Sequence, residues 1–455
     1  MPGVRSLFPS PPAPGRVALK HTGWLLLAVV AAAALSLARS PRPGALNTIW
    51  IEDAHNFLND ALTDGFKNNL FKSLNGYYHF GPRLIAELVS LAPVRWSAAL
   101  ISIAAAGVTA GFGAIAYVAS KPFLQRWWLQ LVVAAPLVLL PLARVQADND
   151  IATLQFPGLY VLFWIALWRP ASRPAQAVAV LATAFVTFSS IIPIILLPLF
   201  ALRFYVVRDW ATRLICLAYS AGLGLHFLGL ALGKATRSEV CCRRYDLFWV
   251  AQEYATKTVP RTIFGERWLG GPGMDVTGPV AAQGSPAVHT GLMVLAWLVV
   301  LAALILALVK FTNPHWPLAI AATVAGAALF AGTVTNIGSV QPRYLIAPAL
   351  LVLTVLAALL RPHDSQPPAS RPQTRQLSAS RLGLGRSAVP ALVLIAVMVV
   401  VAAVNFRADN RRSETWPWSD LVSQATLACQ SQPIDSHVVW GGYWWRVTIP
   451  CDRVR

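Results

Sequence analysis

The chain alternates long apolar runs with shorter polar loops over most of its 455 residues. A helix needs about 20 predominantly apolar residues to cross a bilayer, and most of the runs come near this length. The segment 175–204 differs, because Ser189-Ser190 divides it into two short arms and the second arm contains Pro193 and Pro198. This pattern predicts a re-entrant or tight hairpin. The pattern predicts an all-α polytopic membrane protein with about eleven membrane segments, at about 22–38, 96–119, 127–143, 156–168, 175–188, 191–204, 214–232, 289–309, 316–333, 344–360 and 388–406.

The first apolar run follows a proline-rich segment that carries Arg5, Arg16 and Lys20. A cleaved signal peptide has this form. An uncleaved first helix is favoured, because the run is long enough to span a membrane and many further spans follow. Under both interpretations, residues 39–95 form an outer loop of a transmembrane domain at 1–360, and 233–288 form another.

Basic residues are concentrated in alternate loops, which predicts the orientation of the chain. The short loops at one end hold Arg144 and Arg343 alone, whereas those at the other hold Lys121, Arg126, Arg169, Arg173, Arg203, Arg208, Arg213 and Lys310. Cytoplasmic loops are enriched in Lys and Arg. We therefore expect the N-terminus inside and the C-terminus outside.

The end of the chain is predicted to have three parts. Residues 361–387 are rich in Pro, Ser, Gln and Arg and read as a disordered cytoplasmic linker. A last membrane helix follows at 388–406. Residues 407–455 contain five tryptophans and are expected to form a small extracytoplasmic tail that packs as a cap.

Composition and charge agree with a membrane protein. Hydrophobic residues make up 56% of the chain and charged residues 12%, about half the share of a soluble domain. The formal net charge is +18, but the basic residues lie between apolar runs. Membrane lipids with anionic headgroups are therefore the expected partners. Nucleic acid is not, because no basic helix with interleaved aromatic residues is present.

Four cysteines fall in segments predicted to lie outside, where disulfides persist. A bridge between Cys429 and Cys451 in the tail is favoured. Cys241 and Cys242 are adjacent and cannot easily bridge each other, so a link from that pair to the tail is the alternative. No CxxC motif or partnered histidine indicates a zinc site.

The first outer loop carries the side chains that are the strongest candidates for catalysis or ligand binding. Glu52 and Asp53 lie shortly after the first apolar run, and neighbouring side chains point in different directions, so one carboxylate is expected to face a site. A carboxylate there serves as a general base or a metal ligand. The alternative is that the pair caps or solvates a surface helix.

His79 and Arg83 lie at the start of a predicted amphipathic helix after Gly81. An arginine binds phosphate bidentately, and the alternative for Arg83 is headgroup contact or a pair with Glu87.

Two later outer segments add candidates. Asp148 and Asp150 either complete an acidic site or cap a turn. Arg343 either holds a lipid phosphate or anchors the chain at the interface.

This layout resembles the GT-C superfamily of polytopic glycosyltransferases, in its acidic pair after the first helix, its further outer Asp residues, its late Arg343-Tyr344 and its soluble tail. The resemblance implies transfer of a sugar from a polyprenyl-phosphate donor to a glycan, lipid or protein acceptor, outside a bacterial plasma membrane. It implies that Asp53 is the base or the ligand of a divalent cation, Mg²⁺ or Mn²⁺. Its neighbour Glu52 is the second catalytic candidate and is also available for a structural part. It also implies that Arg343 contacts the donor phosphate.

A transporter or flippase for a lipid-linked or small polar solute is the rival hypothesis, and a non-enzymatic assembly protein is another. Pumps usually carry charged residues in mid-membrane, and the apolar runs here lack them. A transporter needs a polar site near the bilayer midplane, whereas the enzyme needs one at the outer face.

The orientation is tested by labelling single cysteines from outside in an otherwise cysteine-free chain. A cysteine at Asn75 should react, because it lies in the first outer loop, and one at Ser378 in the linker should not. The reverse pattern would place the acidic loop in the cytoplasm.

Overall fold

The computed structural model describes residues 5–10, 19–142, 148–235, 243–270, 285–363, 385–407, 411–442 and 445–454. Several features considered above lie outside these ranges, among them Arg16, Arg144, Cys241, Cys242 and most of the predicted linker.

The protein is a helical membrane protein. Within the described residues, six helices are long and apolar enough to cross a membrane: Val94–Leu124, Trp210–Ala231, Pro286–Leu308, Trp316–Ile337, Pro342–Leu359 and Arg386–Val404. Shorter apolar helices lie at Gly23–Ala38, Trp127–Leu139, Gln155–Leu167 and Ile192–Val206. The number of eleven membrane segments stays a prediction.

The helices are numbered here in chain order. They are α1 Leu19–Ala38, α2 Asn59–Thr63, α3 Phe66–Leu70, α4 Phe80–Ser90, α5 Ser97–Leu124, α6 Trp127–Ala134, α7 Pro136–Leu139, α8 Gln155–Leu167, α9 Arg173–Ser189, α10 Leu197–Val206, α11 Trp210–Ala231, α12 Leu247–Glu253, α13 Val259–Phe264, α14 Glu266–Leu269, α15 Pro286–Leu308, α16 Trp316–Ile337, α17 Ile346–Leu359, α18 Val389–Val404 and α19 Trp418–Ser431. Two π-helical segments lie at Asp53–Leu58 and Tyr254–Thr258.

The core of the bundle is built around α8 and α17. Every residue of α8 is buried, which fits a helix that is apolar on all sides. It packs against α5, α9 and α17. At the end of α8, the buried Arg203 of α10 donates hydrogen bonds to the carbonyls of Ile165 and Ala166 at 2.7 and 3.1 Å. A cation stabilises the carbonyl end of a helix.

The first outer loop folds into a helix, a hairpin and a second helix. Helical residues continue from Ile51 through α2, and the strands β1 Ser73–Leu74 and β2 Tyr77–Tyr78 pair antiparallel. Asn75 and Gly76 between them both have positive φ, as a two-residue hairpin turn requires. The helix α4 then starts at Phe80, two residues before the predicted start at Pro82.

The C-terminal tail packs on this loop. It consists of α19 and the antiparallel strands β3 Ser436–Trp440 and β4 Arg446–Pro450. A disulfide joins Cys429 to Cys451, with Cα atoms 5.5 Å apart. The backbone amide of Thr448 donates to Asn59 at 2.9 Å. The indole of Trp418 donates to the carbonyl of Val94 at 2.8 Å.

Arg412 is the most heavily bonded residue of the tail. Its side chain is 1% exposed. The guanidinium donates to the carbonyls of Ala45, Thr48, Asp148 and Asn149 and to the hydroxyls of Thr48 and Ser102. These acceptors belong to the first outer loop, to the loop before α8 and to α5. One side chain therefore holds three separate parts of the chain together.

Replacing this residue should destabilise the fold. Arg412→Met leaves several buried carbonyls without a donor and leaves the nearby carboxylates without a cation, so the free energy of unfolding should fall by about 3–5 kcal/mol. Thermal melting of the detergent-solubilised chain measures it. The exposed Arg407 supplies the control, because Arg407→Met should change stability by less than about 0.5 kcal/mol. Equal effects of the two substitutions would contradict the role of Arg412.

Candidate functional site

A cavity of about 240 Å³ lies at the end of the bundle where the first outer loop meets the start of α8 and the segment between α16 and α17. Its polar walls bring together residues from distant parts of the sequence: Glu52, Asn75, Tyr77, His79, Thr153, Gln155, Gln341 and Arg343. Its apolar walls include Phe57, Phe156 and Tyr344. Of the residues predicted from sequence, Glu52, His79 and Arg343 line it.

Glu52 and Arg343 form an ion pair in this cavity. Arg343 Nη1 lies 3.4 Å from Glu52 Oε1, and the two side chains are 25% and 28% exposed. The second carboxylate oxygen, Oε2, is buried and has no hydrogen-bond partner among the described residues. The cavity therefore brings together one cation and one carboxylate, whose second oxygen has no hydrogen-bond partner among the described residues.

His79 presents a neutral imidazole to the cavity. It is 4% exposed, and neither ring nitrogen has a hydrogen bond of good geometry within the described residues. Burial lowers the pKa of His79 to about 3, and the charge of Arg83 acts in the same direction, whereas the carbonyl of Leu74 opposes it. The ring lies against Tyr77, with centroids 4.6 Å apart. A neutral imidazole offers a ligand one donor and one acceptor.

Asp53 is directed away from the cavity. It is fully buried, and its two carboxylate oxygens accept the backbone N–H groups of Ile151 and Ala152, each at 2.9 Å. Burial, followed by the neighbouring carboxylate of Asp150, raises the pKa of Asp53. These contacts fasten the loop before α8 to the first outer loop.

Asp150 and Asp148 lie in that same loop. Asp150 accepts the N–H of Thr153 at 2.8 Å and its hydroxyl at 2.6 Å, as a residue that caps a turn does. Burial raises the pKa of Asp150 to about 7. Asp148 offers its backbone carbonyl to Arg412. The contacts of Asp150 correspond to the capping alternative considered from the sequence.

Arg83 belongs to a network behind the cavity. Its guanidinium pairs with Asp60 at 2.9 Å, donates to Asn69 and lies 5.3 Å from the ring centre of Phe57. Asn69 in turn donates to Glu87 at 2.6 Å. The 1% exposed Arg83 thus braces the first outer loop internally.

Sequence reasoning missed Gln155, and it gave Tyr77 no role. Gln155 stands at the edge of an apolar run and carries no motif, so no local pattern marked it. Tyr77 had a usable signal, because Asn75-Gly76 between short apolar stretches is typical of a β-hairpin. That hairpin brings Tyr77 and His79 to the cavity.

A divalent cation fits these residues poorly. Mg²⁺ and Ca²⁺ bind through several oxygen ligands, with carboxylates prominent among them, and both oxygens of Asp53 are already bonded to backbone N–H groups. Within the described ranges, no group of three or more His, Cys, Asp or Glu side chains is placed to hold a metal ion. Arg343 is the cation that the cavity itself supplies.

Comparison with known proteins adds no assignment. No protein-family model matches the chain, and a search of curated proteins finds no match. The resemblance to GT-C glycosyltransferases stays a prediction, and any function rests on the geometry described above.

The buried Asp150 predicts how stability depends on pH. Its pKa is about 7 in the folded chain and about 3.9 in an unfolded one, so the folded state holds the proton more tightly. The stability that Asp150 contributes should be fully present below about pH 4 and be lost as the pH rises to about 7, by up to about 1.4 kcal/mol per pH unit for one proton. The buried Asp53, whose pKa is raised as well, should act in the same direction. Thermal melting over this range checks the slope.

Asp150→Asn keeps an acceptor for Thr153 and removes the titrating group, so it should flatten the decline. Asp452→Asn, in the exposed part of the tail, should leave it unchanged. A decline that is equally steep in both variants would contradict this origin.

Proposed function

We propose that the protein is a membrane glycosyltransferase, which transfers a sugar from a polyprenyl-phosphate donor to an acceptor hydroxyl at the extracytoplasmic face. The observation that carries the proposal is the pairing of Glu52 with Arg343 in a cavity at one end of the bundle. One residue supplies a base and the other a phosphate-binding cation. Neutral polar groups on His79 and Gln155 surround them.

The reaction needs both groups. The acceptor oxygen attacks the anomeric carbon, and the bond from that carbon to the phosphate oxygen breaks. The electron pair leaves with the lipid phosphate, whose charge Arg343 offsets, and Glu52 takes the proton of the acceptor hydroxyl. In this assignment Glu52 is the base, and Asp53, which the sequence favoured, holds the adjoining loop.

Arg343 links the two halves of this reaction. In the free protein its Nη1 is close to Glu52 Oε1. A donor phosphate that enters the cavity competes with the carboxylate for the same guanidinium. Binding of the donor therefore releases Glu52 toward the acceptor at the moment when a base is needed.

The distribution of charge supports the outward orientation. The cavity shares its end of the bundle with the tail, and at the opposite end Arg361 donates to the carbonyl of Phe123 and Arg169 lies 3.6 Å from Asp209. That opposite end is the one enriched in Lys and Arg, as cytoplasmic loops are. About eleven membrane segments, with the N-terminus inside and the C-terminus outside, complete the proposed topology.

The position of the cavity favours an enzyme over a transporter. A transporter binds its solute near the bilayer midplane, between broken helices. The Glu52–Arg343 cavity instead lies where the first outer loop, the start of α8 and the segment between α16 and α17 meet. The phosphate of a donor lipid would reach a cavity at this end of the bundle while its polyprenyl chain stays in the membrane.

Two matched substitutions test the assignment. Transfer is assayed with the full-length protein in nanodiscs and with decaprenyl phosphate that carries mannose, galactose or arabinose. Glu52→Gln should lower the rate about 10²–10⁴-fold, the usual share of a general base, with little change in melting temperature because Glu52 is part exposed.

Asp53→Asn is the comparison. It loses an acceptor for the N–H of Ile151 or Ala152, so it should lower the melting temperature, while transfer by the folded protein stays within about tenfold. If Asp53→Asn lowered the transfer rate more than Glu52→Gln did, Asp53 would be the general base instead of Glu52. No transfer by the wild-type chain from any of the three donors would overturn the function.

A further inference from the structure

The amide of Gln155 is only half satisfied within the protein. Gln155 is the first residue of α8 and is 5% exposed. Its Nε2 donates a hydrogen bond to the hydroxyl of Tyr77 at 3.2 Å. Its Oε1 is buried without a hydrogen-bond partner in the described parts of the chain. A buried amide oxygen without a donor costs free energy, which a ligand in the cavity can recover.

The two possible orientations of the Gln155 amide, which exchange its oxygen and its NH₂ group, both favour a hydroxyl group as the ligand. If the amide were turned over, its oxygen would accept from Tyr77 and its NH₂ group would be the unsatisfied one. A hydroxyl serves either case, because it donates and accepts. A phosphate oxygen accepts alone and an ammonium group donates alone, so each fits one orientation only.

The side chains next to Gln155 in the cavity can also both donate and accept hydrogen bonds. The ring of His79 lies against Tyr77 and offers one donor and one acceptor in its neutral form. Gln155, Tyr77 and His79 therefore form a wall of the cavity without net charge. Arg343 and Glu52, which also line the cavity, carry its charges.

We propose that Gln155 is a specificity-determining residue, which binds one particular hydroxyl of the sugar on the polyprenyl-phosphate donor. Tyr77 orients the amide, and α8 fixes its position because that helix is buried throughout. This inference rests on the proposed glycosyltransferase function. A site built to bond a hydroxyl discriminates strongly against a ligand that lacks it, since the buried polar group is then left unpaired.

The test combines a variant of the protein with variants of the sugar. Binding to the full-length protein in nanodiscs is measured for decaprenyl phosphate carrying mannose, galactose or arabinose. It is then measured for each mono-deoxy form of the sugar that binds most tightly. The wild type should bind one deoxy donor about 10- to 100-fold more weakly than the parent and the others nearly as well.

Gln155→Met, which keeps the volume of the side chain, should weaken binding of the parent donor by the same factor. It should not weaken binding of that one deoxy donor any further. Gln155→Asn is a milder second variant, because its side chain is shorter by one methylene and keeps the amide. It should also reduce the preference for the parent donor over that deoxy donor, but by a smaller factor.

Gln130 supplies the matched control. It is 3% exposed at the start of α6, at the opposite end of the bundle. Gln130→Met makes the same chemical change at similar burial and should leave the ranking of the deoxy donors intact.

Two results would overturn the role of Gln155 alone: a wild type that binds every deoxy donor as tightly as the parent, or a Gln155→Met variant that weakens all donors by one common factor. The second result would mean a structural role. Failure of the wild type to bind or transfer any of the three donors would instead overturn the proposed function, and this inference with it.

Discussion

The buried guanidinium of Arg412 is the contact on which the arrangement of the cavity end of the bundle depends. An arginine has five N–H donors in a rigid fork, and here they meet acceptors from the first outer loop, from the loop before α8 and from α5. Its charge lies close to the buried carboxylates of Asp53 and Asp150. Because Arg412 comes from the tail, a segment that is distant in the sequence completes the support of the cavity.

That support explains how two adjacent carboxylates acquire different tasks. Successive side chains on a helix diverge by about 100°, so Asp53 points to the backbone of residues 151–152 and Glu52 points into the cavity. Asp53 is bonded on both oxygens, and one oxygen of Glu52 has no hydrogen-bond partner among the described residues. A carboxylate that already holds two backbone N–H groups is a poor base or metal ligand, whereas its neighbour, held by the same helix, remains available.

Features that depend on the local pattern of apolar and polar residues were predicted well from the sequence. The apolar runs located the helices, and their length and composition made a helical membrane protein the expected class. The roles of Arg83 and Asp53 were not predictable in this way, because Asp60, Asn69 and the amides of Ile151 and Ala152 become their partners only after the loops have folded. Gln155 was missed for a related reason. One polar residue at the edge of an apolar run has no periodicity, and its importance comes from the hairpin that places Tyr77 beside it.

The charges of the cavity also suit a ligand with one charged and one neutral part. Arg343 and Glu52 are both partly exposed, so exchanging their mutual contact for a phosphate costs little desolvation. His79 and Gln155 are almost fully buried and uncharged, so they favour groups that hydrogen-bond without carrying charge. A sugar phosphate has this division, with the anion at one end and hydroxyls at the other. A free phosphate would leave the neutral wall unsatisfied, and a free sugar would leave the ion pair intact, so a ligand that joins the two uses the cavity most completely.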